Sequence, residues 1–316
     1  MQKNLFVGLF ACTLASLGAG CISWGDKFSG KAYELPQNAS VEAVPIIPEV
    51  INTGGLAFEE QGILYFANYL HSGTIGIYKV DDIAPPTTFI DLNEWMTSYD
   101  DRTPDVHGLA LDAEGRLIGA DAGTGKVIRV SPDASKVEVL ADSYEGMLFG
   151  SVQDIALSPD GTVYASSPDE GVIYRIRPEE GTIDILNRDL VRADGMAITP
   201  DGTRLVVTEP DAARLLVYSL KDDPSSAVPE ATMDFSGAGE SPHGVAFDQI
   251  GHLYVAMGDL GLVHVFDLAD TRLLRTYQAG GSAFRLSISA KLNRFREGTL
   301  WVSGGRSEGL RRIRLN

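Results

Sequence analysis

Cysteine is almost missing from this chain of 316 residues: there are two, Cys12 and Cys21. Cys12 lies inside the first apolar stretch. A mature protein that has shed this stretch keeps at most one thiol, so no intramolecular disulfide staples the fold. Basic residues are scarce as well. Lys and Arg number 26 against 43 Asp and Glu, a net charge of −17. Recognition of a phosphate backbone needs clustered Lys and Arg, so nucleic acid is excluded as a partner. Beyond residue 25 no long stripe of apolar residues recurs at three- and four-residue spacing, so long amphipathic helices are absent too. No P-loop, H-E-x-x-H or C-x-x-C is present. Gly119–Gly125 is rich in glycine, but it follows a strand pattern and opens no helix, so it reads as a hairpin rather than a phosphate cradle.

What is present begins with a leader. MQKNLFVGLFACTLASLGAGC has a short basic start at Lys3, an apolar segment from Leu5 to about Leu17, and small residues before Cys21. This is the layout of a secretory signal, and its apolar segment is too short for a secure membrane span. The Leu-Gly-Ala-Gly-Cys junction resembles the lipobox of bacterial lipoproteins. The expectation is therefore a signal peptide over 1–20, lipidation at Cys21, a tether over 21–40 and a folded domain over 41–316. The protein would be exported, periplasmic or in the cell envelope, held to a bacterial membrane only by its lipid.

The rest of the chain repeats itself. DVHGLALDAEGRLIGAD at 105–121 and SPHGVAFDQIGHLYVAM at 241–257 are one phrase written twice. VQDIALSPDGTVYASS at 152–167 and ADGMAITPDGTRLVVTE at 193–209 are variants of it. Each has a polar head, usually a Gly, an apolar run, a polar turn and a second apolar run. The heads fall at Gly54, His107, Gln153, Asp194 and His243, with a degenerate sixth copy at Phe284 or Arg285; the spacings are 53, 46, 41, 49 and 41 residues. A period of about 40–50 residues with four short strands per unit points to propeller blades. The fold class is all-β, a six-bladed β-propeller. The chain stops at the third strand of the sixth blade, and KAYELP or SVEAVP is placed to supply the fourth, so that an N-terminal strand closes the ring and shields its edges.

In a propeller the first strand of each blade lines the central channel. The six heads then converge at one mouth, bringing two His and one Asp together. Imidazole and carboxylate suit a divalent metal, with zinc, iron or manganese favoured over calcium by the nitrogen donors. A His before a Gly at a strand start also has a plain role, bonding backbone and filling the channel.

One stretch carries a resemblance. Residues 115–168, with Tyr144-Glu145-Gly146 leading into Gln153-Asp154, resemble the passage from blade two to blade three of bacterial gluconolactonases. The phrases at Asp194 and His243 resemble the next two blades. From about residue 45 to 316 the chain is similar to the senescence marker protein/gluconolactonase/luciferin-regenerating-enzyme family. That resemblance implies a six-bladed propeller with one divalent cation in the channel, opening lactones by polarising the carbonyl and activating water. The family's metal-ligand positions correspond to Gly54, Asp194 and His243, and a substrate-binding Asn position to Gln153. Every one of these departs from the family residue.

Two functional readings follow. The first is a gluconolactonase-like, metal-dependent hydrolase of a small lactone or ester. In it Asp194, His243 and His107 hold one divalent cation (zinc, manganese, magnesium or calcium), Gln153 and Arg285 orient substrate, and Asp154 or Glu145 is the base. The second is a non-catalytic propeller that binds a small molecule or partner protein at the same mouth. A lyase is a third, disfavoured by the blade count. The protein is expected to be a monomer.

Overall fold

Short runs of β-branched and aromatic residues, cut by Asp-Gly turns, give strands rather than helices. At Gly161 and Gly202 the turns need backbone φ of +87° and +71°, which glycine adopts without strain. The computed structural model describes residues 39–43, 54–59, 62–80, 84–96, 101–221, 227–288, 298–305 and 309–315. The leader, Cys21 and the tether up to residue 38 lie outside the described residues. No helix of the described residues is long and apolar enough to cross a membrane.

The strands form six four-stranded antiparallel sheets and one two-stranded hairpin. Five sheets are simple meanders in chain order, which makes each a propeller blade. Their inner strands are Leu56–Glu59, Val106–Leu111, Asp154–Leu157, Met196–Ile198 and Val245–Phe247. The sixth blade runs Arg285–Ile288, Gly298–Ser303, Leu310–Leu315, and on its outer side Ala39–Ala43 pairs antiparallel with Leu310–Leu315. The inner strands neighbour one another in ring order, the sixth against the first.

Apolar faces between blades supply the cohesion. Ile118 and Ala120 of blade 2 pack with Ile155, Ala165 and Tyr174 of blade 3, and Phe149 stacks on Tyr174 with ring centroids 4.1 Å apart. Blades 1 and 6 meet through Leu56, Phe66, Tyr78, Trp301 and Leu310. Hydroxyls on the second strands latch blade 3 to blade 4 and blade 4 to blade 5: Ser166 donates to the Asp194 carbonyl at 2.9 Å, and Thr208 donates to the His243 carbonyl at 2.7 Å.

The head of each phrase is identified by a shared bond. The amides of Gln153, Asp194, His243 and Phe284 each donate to a carbonyl on their own second strand. Phe284 is therefore the sixth head, and Arg285 stands one place further on, in the second position of the phrase. That position reads Gly55, Gly108, Asp154, Gly195, Gly244 and Arg285. Glycine recurs there because the inner strands crowd the axis. A Cβ on Gly195 would lie 2.3 Å from the His243 carbonyl, and one on Gly244 would lie 2.5 Å from the Phe284 carbonyl. Both clashes are with backbone, so nothing can swing aside. Gly244→Ala is expected to cost roughly 1–3 kcal/mol, the usual toll of overpacking. A thermal melt unchanged within error would contradict this crowding. The room left by the glycines admits two side chains to the neck of the channel, those of Asp154 and Arg285.

Candidate functional site

The head ends of the inner strands open on a cavity of about 240 Å³ lined by His107, Gln153, Arg192, Asp194, His243, Phe284, Arg285, Gly304 and Gly305. Five of the eight residues singled out from sequence thus share one mouth. Below it a second cavity, about 60 Å³, holds Asp154 together with the other face of Arg285. Arg285 separates the two.

Two networks order the mouth. In the first, Asp194 is the hub: Arg285 Nη2 donates to its Oδ1 at 2.7 Å, and His243 Nδ1 to its Oδ2 at 2.8 Å. Burial alone would raise the Asp194 carboxyl. The Arg285 charge and the bonds from His243 and Arg285 outweigh it and hold the group well below the usual carboxylate range. Arg285 is itself buried; its Nη1 donates to the Phe284 carbonyl at 3.1 Å and its Nε to the His107 carbonyl at 3.4 Å. Because Nδ1 of His243 carries the hydrogen, its Nε2 carries the lone pair. That nitrogen lies 3.4 Å from Ser241 Oγ, and the ring stands edge-on to Phe284 with centroids 4.8 Å apart.

The second network is centred on His107. Its Nε2 lies 3.1 Å from Asp105 Oδ2 and its Nδ1 2.8 Å from the Gln153 amide nitrogen. A carboxylate only accepts, so Nε2 carries the hydrogen and Nδ1 accepts from Gln153. Asp105 is fixed in turn by Asn68 Nδ2 at 2.8 Å. Burial pushes the Asp105 carboxyl up, but the bonds from His107 and Asn68 prevail and lower it.

Two residues expected at the chemistry are elsewhere. Glu145 sits at the exposed turn of the hairpin formed by Ser143–Tyr144 and Met147–Leu148, outside the lining of the mouth. Its φ of +50° marks a tight turn, which explains the Tyr-Glu-Gly pattern without catalysis. Asp154 lies in the neck under Arg285, where its oxygens accept from the amides of Ile155 at 2.9 Å and Met196 at 3.1 Å. Neither faces the mouth as a base. Cys21 lies outside the described residues.

The metal expectation is tested by the donors themselves. Both oxygens of Asp194 are engaged. His107 offers no free lone pair, since one nitrogen carries hydrogen and the other accepts from Gln153. Each Asp194 oxygen accepts one hydrogen bond, and a cation taking a remaining lone pair would sit against the Arg285 guanidinium; of the two anticipated imidazoles only His243 has a lone pair to give, on Nε2. At Gly54, where the family resemblance places a metal-ligating carboxylate, any Cβ would lie 2.1 Å from the Val106 carbonyl. Among the described residues no group of three or more His, Cys, Asp or Glu is placed to hold a metal ion. The residues at this mouth do not fit a divalent cation held by His107, Asp194 and His243.

Asp154 gives the neck a pH signature. Burial pushes its carboxyl up to about 6 from 3.8, against the pull of the Arg285 charge and the Met196 amide, with Asp194 adding to the rise. The folded state therefore holds a proton more tightly than the unfolded chain, and stability falls as pH rises from about 4 through about 6. Above that window the fold carries the whole penalty, roughly 2–3 kcal/mol. Asp154→Asn is expected to melt several degrees above the wild type at pH 8 and to match it near pH 4. Equal melting temperatures at pH 8 would contradict the assignment.

Sequence reasoning missed Arg192 and Asp105, and named Phe284 only as one of two registers for the sixth head. Arg192 has no signature beyond standing two residues before a head; it lines the mouth, half exposed, 3.7 Å from Asp211. Asp105 stands two residues before His107, and only the fold shows that it turns back to the ring. The stretch G-R-S-E-G at 305–309 has the spacing of a nucleophile elbow. The elbow needs a strand-to-helix turn, whereas the next described element here is the strand Leu310–Leu315; Ser307 lies outside the described residues. A larger groove of about 580 Å³ lies at the far ends of the inner strands of blades 2 and 3. Its main charges are already paired, Arg116 with Asp112 at 2.6 Å and Arg129 with Glu138 at 2.9 Å, so the mouth is the better site.

Comparison with known proteins agrees with the fold. Residues 133–288 match the family described as SMP-30/Gluconolactonase/LRE-like region. The chain is 28% identical over 177 residues to a gluconolactonase of Zymomonas mobilis subsp. mobilis, spanning 49% of this chain and 50% of that protein. It is 26% identical over 266 residues to lactonase drp35 of Staphylococcus haemolyticus, covering 72% of this chain and 75% of the relative. A solved gluconolactonase from Xanthomonas campestris superposes with a TM-score of 0.70 at 20% identity, over 89% of this chain and 91% of that one. This chain therefore spans about half the length of the Zymomonas relative and three quarters of the staphylococcal one.

Proposed function

We propose that this chain, a divergent relative of the SMP-30/gluconolactonase/LRE-like proteins, opens a small lactone or ester at the mouth of its channel. The observation that carries this reading is the Asp194–His243 pair at a mouth that also presents Gln153, Arg192 and Arg285. A cavity of about 240 Å³ is below the span typical of drug-sized ligands, so it suits a substrate of about a dozen heavy atoms. Names of relatives supply the substrate class; the residues supply the chemistry.

Asp194 fixes the ring of His243 so that Nε2 is basic and can take a proton from a water. The water oxygen attacks the lactone carbonyl carbon. Negative charge grows on the carbonyl oxygen, where the guanidinium groups of Arg285 and Arg192 and the amide of Gln153 are the donors within the mouth. The ring C–O bond then breaks. The proton on Nε2 passes to the departing alkoxide, and a hydroxy acid leaves. No step passes through a metal. Among the described residues Arg285 uses three of its five N–H groups on protein acceptors, which leaves one on each of Nη1 and Nη2 for a carbonyl oxygen.

Binding without chemistry is the second reading. It is favoured by the way the site's charges neutralise one another, Arg285 against Asp194. A panel of sugar and aliphatic lactones, followed by acid release, separates the two. Turnover of a sugar lactone above the spontaneous rate supports hydrolysis. Saturable binding of the same compounds with no acid release supports a receptor. On either reading the signal-like leader over 1–20 supports the proposal that the mature protein is exported to the cell envelope.

A further inference from the structure

At the second position of the phrase four blades carry glycine, blade 3 carries Asp154 and blade 6 carries Arg285. Where Gly55, Gly108, Gly195 and Gly244 open the neck, Arg285 fills it. The residue is 6% exposed, and its side chain borders both the mouth and the inner cavity. It bonds Asp194 on one side and faces Asp154 across the inner cavity on the other.

We infer that Arg285 is the channel's resident cation, standing where a divalent ion would have to bind, so that the mouth works on a fixed guanidinium charge. Three observations converge on it. Asp194, the best anionic donor at the mouth, already gives Oδ1 to Arg285 at 2.7 Å and Oδ2 to His243 at 2.8 Å. A cation bonded to the same carboxylate would sit against the guanidinium. The backbone leaves no space for a side chain at Gly54, so the departed carboxylate cannot be supplied from blade 1. Arginine suits the place better than lysine, because its planar fork reaches Asp194 and the Phe284 and His107 carbonyls together and never loses its charge. The ligand this selects is one that accepts hydrogen bonds through a carbonyl or carboxylate oxygen. The inference concerns what occupies the neck and holds whether or not the mouth hydrolyses anything.

The test is metal binding, read apart from activity. Wild-type protein is stripped with EDTA and titrated calorimetrically with Ca²⁺, Zn²⁺ and Mn²⁺, each to about 1 mM. No saturable site and no rise in melting temperature are expected. Arg285→Met frees both carboxylates and is expected to bind at least one of these ions about tenfold or more tightly, with a metal-dependent rise in melting temperature. Arg285→Lys keeps the charge and is expected to stay metal-free. If Arg285→Met folds only when one of these ions is added, the inference is supported. One ion per wild-type chain, lost in Asp194→Asn, would overturn it. So would metal binding by Arg285→Lys, or an Arg285→Met protein that folds with a native circular dichroism spectrum and binds no better than the wild type. If Arg285→Met folds under no condition, the wild-type and Arg285→Lys titrations decide.

Discussion

Replacing His243 by Asn is expected to lower kcat for lactone opening by about 10²–10⁴-fold, the usual worth of a positioned general base. Asn is chosen because its amide can still donate to Asp194 Oδ2, as His243 Nδ1 now does at 2.8 Å. The partner of Arg285 is then left in place while the basic nitrogen is gone. His243 is partly exposed and its ring contacts Phe284 at an edge, so little core packing is lost. KM is expected to move by less than about threefold, since the base acts on water in the transition state rather than on bound substrate. A tenfold rise in KM with kcat intact would instead make His243 a binding residue and favour the receptor reading.

The second large effect is on stability. Asp194→Ala leaves the Arg285 guanidinium buried beside fewer charges, and breaking a buried pair from one side costs roughly 3–5 kcal/mol. The melting temperature is expected to fall by roughly 6–15 °C on that account. Removing both partners, as in Asp194→Ala with Arg285→Met, is expected to recover a substantial part of the loss below about pH 6, where Asp154 is protonated and no unpaired charge remains in the neck. Thermal melts of the two single variants and the double variant measure this directly. A double variant as unstable as the sum of the singles would show that the pair is not coupled.

The fold was legible because repetition is a strong signal. Four phrases of similar pattern, Asp-Gly turns at 160–161 and 201–202, and spacings of 41–53 residues point to six blades from the sequence alone. Convergence of the heads was legible too, since equivalent strands in a propeller must share an axis. Their partners were not. The phrase at 284–285 allowed two registers, and only the shared amide bond shows that Phe284 is the head and Arg285 the second residue. That one-residue shift carries the guanidinium from the rim into the neck, where it takes an oxygen of Asp194 from any metal. Asp154 was misplaced for the same reason: the phrase at Gln153 puts an acid where its relatives have Gly, and that position faces the neck. Glu145 was read as a base from a local pattern that a tight turn explains.

In the proposed mechanism His243, Asp194 and Arg285 open a lactone without a metal. The most direct measurement is the initial rate of lactone hydrolysis by EDTA-treated protein, wild type beside His243→Asn, in metal-free buffer. The wild type is expected to keep its full rate in EDTA and His243→Asn to lose nearly all of it. Activity that vanishes in EDTA and returns with a divalent cation, or that survives in His243→Asn, would contradict it.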